Sequence, residues 1–146
     1  MPSLASQLKQ QGYDTLAFHP YKAHGWNRDT VYPLIGFDNF LDETSMNPNG
    51  EKFRGWYSDA EDYNKIIDIF NKKKAGQPLF LFNVTIQNHG GYLIADKNFK
   101  EEIKIKDEKA TDTANRYLSL IHESDRAFEK IINYFKNQKE PTIVVM

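Results

Sequence analysis

The sequence predicts an α/β fold with a mostly parallel sheet flanked by helices. Helical periodicities alternate along it with short apolar runs rich in β-favouring residues. The runs are continuous rather than alternating, as in strands covered on both faces. With 146 residues, 40% of them hydrophobic and 14% aromatic, the chain can also bury a real core within one domain.

The first helix is expected at the start, with Ser3 as N-cap, Leu4 and Leu8 one turn apart and Gly12 to stop it. The next stretch, DTLAFH, reads as a buried strand. Further on, Ser58 and Glu61 make a capping-box pair ahead of Tyr63, Ile66, Ile67 and Phe70 at helical spacing, with Gly76 and Pro78 beyond the end. The apolar run PLFLFNVTIQ follows and is expected centrally in the sheet. From about Thr111 to Asn137 a long helix presents Tyr117, Leu120, Ile121, Phe128, Ile131, Ile132 and Phe135 on one side. The closing residues PTIVVM read as the start of another core strand. DETSMNPNGEKFRG reads as a polar loop with a Pro-Asn-Gly turn, and ADKNFKEEIKIKDEKA as a solvated excursion with a short edge strand around Phe99 to Ile105. No repeat, low-complexity tract or linker divides the chain.

Charge and composition exclude several function classes. Lys and Arg number 19 against 20 Asp and Glu, so no long-range basic field exists to gather nucleic acid. There is no cysteine, which removes disulfides, thiolate metal sites and a thiol nucleophile from these residues. No apolar run reaches membrane-spanning length and no signal peptide is legible, so the segment itself is expected to be soluble.

The chemistry concentrates in FHPYKAHGWNRD, from Phe18 to Asp29. The strand DTLAFH delivers His19 to its carboxyl end, and the loop after it supplies Lys22, His24, Trp26, Asn27 and Arg28. The run LFLFNVTIQ delivers Asn88 and His89 in the same way, at the end of an expected parallel neighbour. Ligands of open α/β sheets bind beyond the carboxyl ends of strands. Imidazole and guanidinium donors on one such rim suit an anionic, oxygen-rich group such as phosphate, with Arg28 as a planar fork and Trp26 as a stacking wall. Gly90 and Gly91 would let backbone approach a ligand closely. Each residue also has a plainer reading. His24 and His122 read as structural, Trp26 could cap a hydrophobic edge, Arg28 could cap a helix or pair with Asp29, and the acids of SDAED read as complements to a helix dipole rather than metal ligands.

Taken in order, FHPYKAHGWNRD, LIGFDNFLDE, SDAEDY, NVTIQNHGGY, YLSLIHESDRAFEKII and TIVVM resemble the sulfatase-type catalytic domain of the lipoteichoic acid synthase family, in the alkaline phosphatase superfamily. The resemblance runs over nearly the whole chain. It implies that residues 1–146 are an internal fragment of one such domain, a partial alkaline phosphatase/sulfatase-like fold. His19, Trp26, Arg28 and His89 would then line the pocket for the phosphate and its glycerol. It further implies a membrane-anchored parent whose catalytic domain lies on the extracellular face. That parent would transfer a phosphoglycerol or phosphoethanolamine head group through a covalent threonine intermediate at a divalent metal, often manganese. The nucleophile and an acidic metal ligand would lie upstream of these residues and an Asp-His metal pair downstream. The fragment alone is therefore expected to be inactive and to bind no metal, and to self-associate through an exposed sheet edge or apolar patch. HGGY in place of bulkier residues, and Lys22 and His24 where the synthases tend to be uncharged, leave the head group open. Two other functions stay open beside it: a sulfatase or phosphodiester hydrolase on the same scaffold, acting on a sulfated or polyglycerol phosphate substrate, and a catalytically dead anion- or glycan-binding module.

Overall fold

The computed structural model describes residues 2–93 and 95–146. Its elements run α1 (Leu4–Gln10), β1 (Asp14–Phe18), a 3-10 turn (Gly25–Asn27), α2 (Arg28–Leu34), β2 (Asn39–Leu41), a second 3-10 turn (Glu43–Ser45), β3 (Lys52–Phe53), β4 (Trp56–Tyr57), α3 (Asp59–Lys72), β5 (Leu79–Asn83) and α4 (Asp112–Lys136). The chain divides into two compact units, one of Met1–Gly50 with Asp68–Ile86, the other of Glu51–Ile67 with Gln87–Met146.

The first unit holds a three-stranded sheet in the order β2-β1-β5, with β1 parallel to both neighbours. Ser3 caps α1 by accepting from the Ser6 N–H, and Gly12 at φ 87° turns the chain into β1. Thr15, Leu16, Ala17 and Phe18 are all buried, the mark of a strand covered on both faces. The core gathers Ala5, Ala17, Tyr32 and Phe37, with Phe40 and Phe80 packed against it. Phe37 stacks on Phe80 at 5.7 Å between centroids. Gly36 is required here: its φ is 103°, and a Cβ would come within 2.9–3.0 Å of Ser6.

The second unit is built on α4. Thr111 accepts from the Ala114 N–H to start it, as the sequence indicates, and Leu120, Ala127 and Ile131 are buried along it. Phe53, Phe99 and Leu120 form the core cluster, with Tyr92 against it. Arg116, nearly buried, donates from Nε to Glu101 at 2.8 Å and from Nη1 to the Tyr92 carbonyl. A buried guanidinium needs such partners, and both are supplied.

Four expectations from the sequence are corrected. The run that gives β5 lies at the edge of the three-stranded sheet, not centrally; β1 takes the centre, and Phe82 is 40% exposed. A continuous apolar run reports cover, not strand order. Residues 141–146 form no strand, and Ile143, Val145 and Met146 are about nine-tenths exposed. Apolar character does not make a strand without a neighbour's ladder of hydrogen bonds. Nor does the stretch from Phe99 to Ile105 form an edge strand. Its backbone is met by helix side chains instead, the Ile103 N–H donating to Ser119 Oγ and the Ile105 N–H to Asn115 Oδ1, both at 2.9 Å. Finally, the polar loop before residue 58 ends in a hairpin, β3 antiparallel to β4 with Phe53 opposite Trp56.

Candidate anion-binding site

His19 follows β1 directly. Its N–H donates to the Leu41 carbonyl at 3.0 Å, and its Nδ1 donates to the Val84 carbonyl at 2.7 Å. A carbonyl can only accept, so Nδ1 carries the proton. Nε2 is then an acceptor in the neutral ring and a donor in the protonated one. The ring is 1% exposed and meets Tyr21 edge-on at 6.4 Å. The parallel pairing of β1 with β5, Phe18 opposite Asn83, bears out the expected strand neighbours.

The loop after His19 folds into the turn Gly25–Asn27. Trp26 and Asn27 both take the left-handed region, at φ 60° and 52°. Arg28 opens α2 and returns Nη1 to the Gly25 carbonyl at 2.9 Å, closing the turn around them. Trp26 stands 87% exposed. His24 pairs with Asp29 at 2.5 Å. Lys22 and His24 also line an open depression of about 480 Å³ together with Asp42 and Glu43, so its walls carry both signs.

His89 belongs to the second unit, and its surroundings were not legible in the sequence. The hairpin turn between β3 and β4 is Arg54-Gly55, with φ 55° and 84°. Arg54 donates from Nη2 to the carbonyls of Gln87, at 2.9 Å, and His89, at 2.7 Å. Its guanidinium also lies 4.9 Å from the centre of the Tyr92 ring. Its backbone N–H donates to the Asp96 carboxylate. Burial pushes the Arg54 pKa down, against the opposing pull of Tyr92 and Asp96, yet a guanidinium remains a cation at neutral pH. The indole of Trp56 lies 5.2 Å from the His89 imidazole, centre to centre.

Just before His89 a buried polar network fixes the chain. Gln87 accepts from the Asp59 N–H at 2.9 Å and donates to the Leu120 carbonyl and Ser124 Oγ, both at 3.0 Å. Asn88 donates to the same Ser124 Oγ at 2.7 Å. Asp59 and Asp62, expected as complements to the α3 dipole, are buried at 2% and 0% exposure. Burial first, then the neighbouring charges of Asp59 and Asp62, push the Tyr63 phenol up to about 12. The one sequence signal for Arg54 is its place before Gly in a two-residue hairpin, where Asn, Asp or Gly is the usual first residue.

Among the described residues no three His, Asp or Glu side chains gather as a metal site. No helix among them is long and apolar enough to cross a membrane.

The fold is that of alkaline phosphatase superfamily domains, α/β with a parallel sheet and flanking helices. It matches the lipoteichoic acid synthase LtaP of Listeria monocytogenes with a TM-score of 0.79 and 27% identity, over 94% of this chain and 33% of that one. An alkaline phosphatase superfamily protein of Vibrio parahaemolyticus shares the fold at a TM-score of 0.66 and 24% identity, over 93% of this chain and 32% of that one. The chain belongs to the Sulfatase family, which it matches over residues 1–146, and it is similar to lipoteichoic acid synthases. It is also 33% identical, over its whole length, to a Rhizobium meliloti protein described as a "Putative cyclic beta-1,2-glucan modification protein", of which it covers 23%. The chain thus spans between a fifth and about a quarter of the first curated relatives it matches.

Proposed function

We propose that this segment is the substrate-binding part of a cell-envelope phosphoglycerol or phosphoethanolamine transferase, with His19, Trp26, Arg28 and His89 receiving the phosphate and its glycerol. The observation that carries this reading is the loop after β1. It holds a buried, tautomer-fixed imidazole, an exposed indole at positive φ and a guanidinium within ten residues. Local folding gives no reason to hold a Trp exposed in the left-handed region, whereas a ligand that needs a stacking wall does. The similarity to lipoteichoic acid synthases supports the donor class, an anionic lipid head group. In a full-length enzyme the threonine nucleophile and the divalent metal, manganese by resemblance, would come from sequence outside these residues. Such an enzyme would be membrane-anchored with this part on the extracellular face.

The test is made in a full-length enzyme carrying this segment, with phosphatidylglycerol vesicles as donor and diacylglycerol release as the readout. Arg28→Ala and His89→Ala should each remove a charge-assisted contact to phosphate worth about 1.5–3 kcal/mol, a loss of about 10–150-fold in kcat/KM. His122→Ala should leave turnover unchanged. Full activity in both the Arg28 and His89 variants, or faster release from p-nitrophenyl sulfate than from the phospholipid, would refute the reading.

A further inference from the structure

We propose that Arg54 is a positioning residue for His89, holding that histidine's loop from the tip of the β3–β4 hairpin. The proposal rests on the reading of His89 as a phosphate ligand and adds the device that aims it. The first argument is local. A two-residue hairpin with both central residues at positive φ favours Asn-Gly, Asp-Gly or Gly-Gly, because an ordinary L side chain there costs roughly 1–2 kcal/mol. Arg54 occupies the first of these positions at φ 55°, so turn chemistry alone would select against it.

The second argument is what the side chain does. One nitrogen, Nη2, reaches two carbonyls two residues apart, Gln87 and His89, at 2.9 and 2.7 Å. A planar, charged donor gripping both peptides fixes their relative orientation, which a Lys point charge or a short Asn would not. The third argument is what else the hairpin carries. Trp56, two residues beyond Arg54 on β4, sets its indole against the His89 ring, so one hairpin holds both the backbone and the imidazole of the same residue. Gln87 and Asn88 are tied at the same time to Ser124 on α4, and Gln87 to the start of α3. The loop is thereby fixed on its buried side by the network and at its exposed end by Arg54. His89 itself is followed by two exposed glycines with open space around them, which supply no restraint of their own. Among the described residues, what would remain without Arg54 is the Trp56 ring contact and the hold on the preceding residues, where the Tyr92 hydroxyl donates to the Asn88 carbonyl and Gln87 and Asn88 bond Ser124.

The decisive variant is Arg54→Asn, which gives the turn its preferred residue and removes the fork. In the 146-residue chain this variant should melt at or above the parent temperature. Its His89 ring resonances should nevertheless move toward the position of an unrestrained histidine, while those of His122 stay in place. Arg54→Lys, which keeps the charge and loses the fork, should move His89 part of the way. Unchanged His89 resonances in a folded Arg54→Asn chain would overturn the proposal, and if that variant failed to fold, unchanged resonances in Arg54→Lys would overturn it equally. In a full-length enzyme Arg54→Asn should lower kcat/KM by about 10–100-fold, as a misplaced positioning group does. Added to His89→Ala it should cost nothing more, because both act through one group. An equal further loss in the double variant would mean that Arg54 acts independently of His89. Were His89→Ala itself silent, the reading of His89 as a phosphate ligand would fall while the ring resonances still decided whether Arg54 holds the loop.

Discussion

The Ser124 hydroxyl donates to the Asp59 carboxylate at 2.5 Å, and both groups are tied in turn to Gln87. One hydroxyl on α4 thus receives the amides of Gln87 and Asn88 while it donates to the first residue of α3. Every bond in this knot involves a buried or half-buried group, so removing its centre strips partners from several at once.

Ser124→Ala should therefore cost more than an ordinary surface serine. The Gln87 and Asn88 amides each lose an acceptor and Asp59 loses a donor, which places the expected cost at about 1–3 kcal/mol. Urea unfolding of the two chains measures it directly. A loss below about 0.5 kcal/mol, the usual range of surface substitutions, would show that the knot is not a stabilising unit.

Three carboxylates, Asp38, Asp96 and Glu101, are held below their ordinary pKa values and contribute to the acid limb of stability, Asp38 through the bond from Lys9, which outweighs burial, and those from Thr15. The N–H of Asn98, and then that of Arg54, hold Asp96 below its ordinary value of 3.8. For Glu101 burial opposes ionisation, but the bonds from Arg116 and Lys104 outweigh it and hold the carboxyl below its ordinary 4.5. A folded-state pKa below the unfolded one means that the unfolded chain binds protons first as pH falls. The stabilisation is complete above about pH 5 and drains away as pH drops through 4.5 and 3.8 toward the lower folded values. Urea midpoints measured from about pH 6 down to about pH 3 should show this decline, and Glu101→Gln should make it shallower. An identical slope in that variant would remove Glu101 from the account.

The parts legible in the sequence were those with local causes. Helix α4 carries its own cap in Thr111 and a sustained apolar stripe, and its observed span Asp112–Lys136 lies within a residue of the expected one. Helix α3 begins where Ser58 accepts from the Glu61 N–H, as the capping residues indicate. β1 and β5 are adjacent and parallel, as apolar runs joined through helical segments suggest. What escaped depends on partners distant in sequence. The two-residue strands of the hairpin are too short for any periodicity, and their turn begins with an Arg that conceals the usual signal. Asp59 looks like a surface acid because the groups that receive it, Gln87 and Ser124, lie 28 and 65 positions further along the chain. His19 was identifiable by its position at a strand end, but its donation to Val84 requires the sheet to exist first.

Trp26 offers a test in which stability and function should part company. Its indole is 87% exposed and therefore adds little burial energy, while its backbone sits at φ 60°, where glycine is at ease and a bulky residue is strained. Trp26→Gly relieves that strain but gives the unfolded chain more freedom, so stability should stay level or rise by up to about 1 kcal/mol. Asn27, beside it at φ 52°, is a residue that tolerates this region, and Asn27→Gly serves as the control for turn flexibility alone. If the indole is the stacking wall of the head-group pocket, Trp26→Gly in a full-length enzyme should lower kcat/KM about tenfold or more, the equivalent of about 1.4 kcal/mol or more. Asn27→Gly should change it little. A Trp26→Gly enzyme that is both destabilised by more than about 1 kcal/mol and fully active would reverse the assignment, making Trp26 a structural residue of the turn and leaving the loop's contribution to binding with His19 and Arg28.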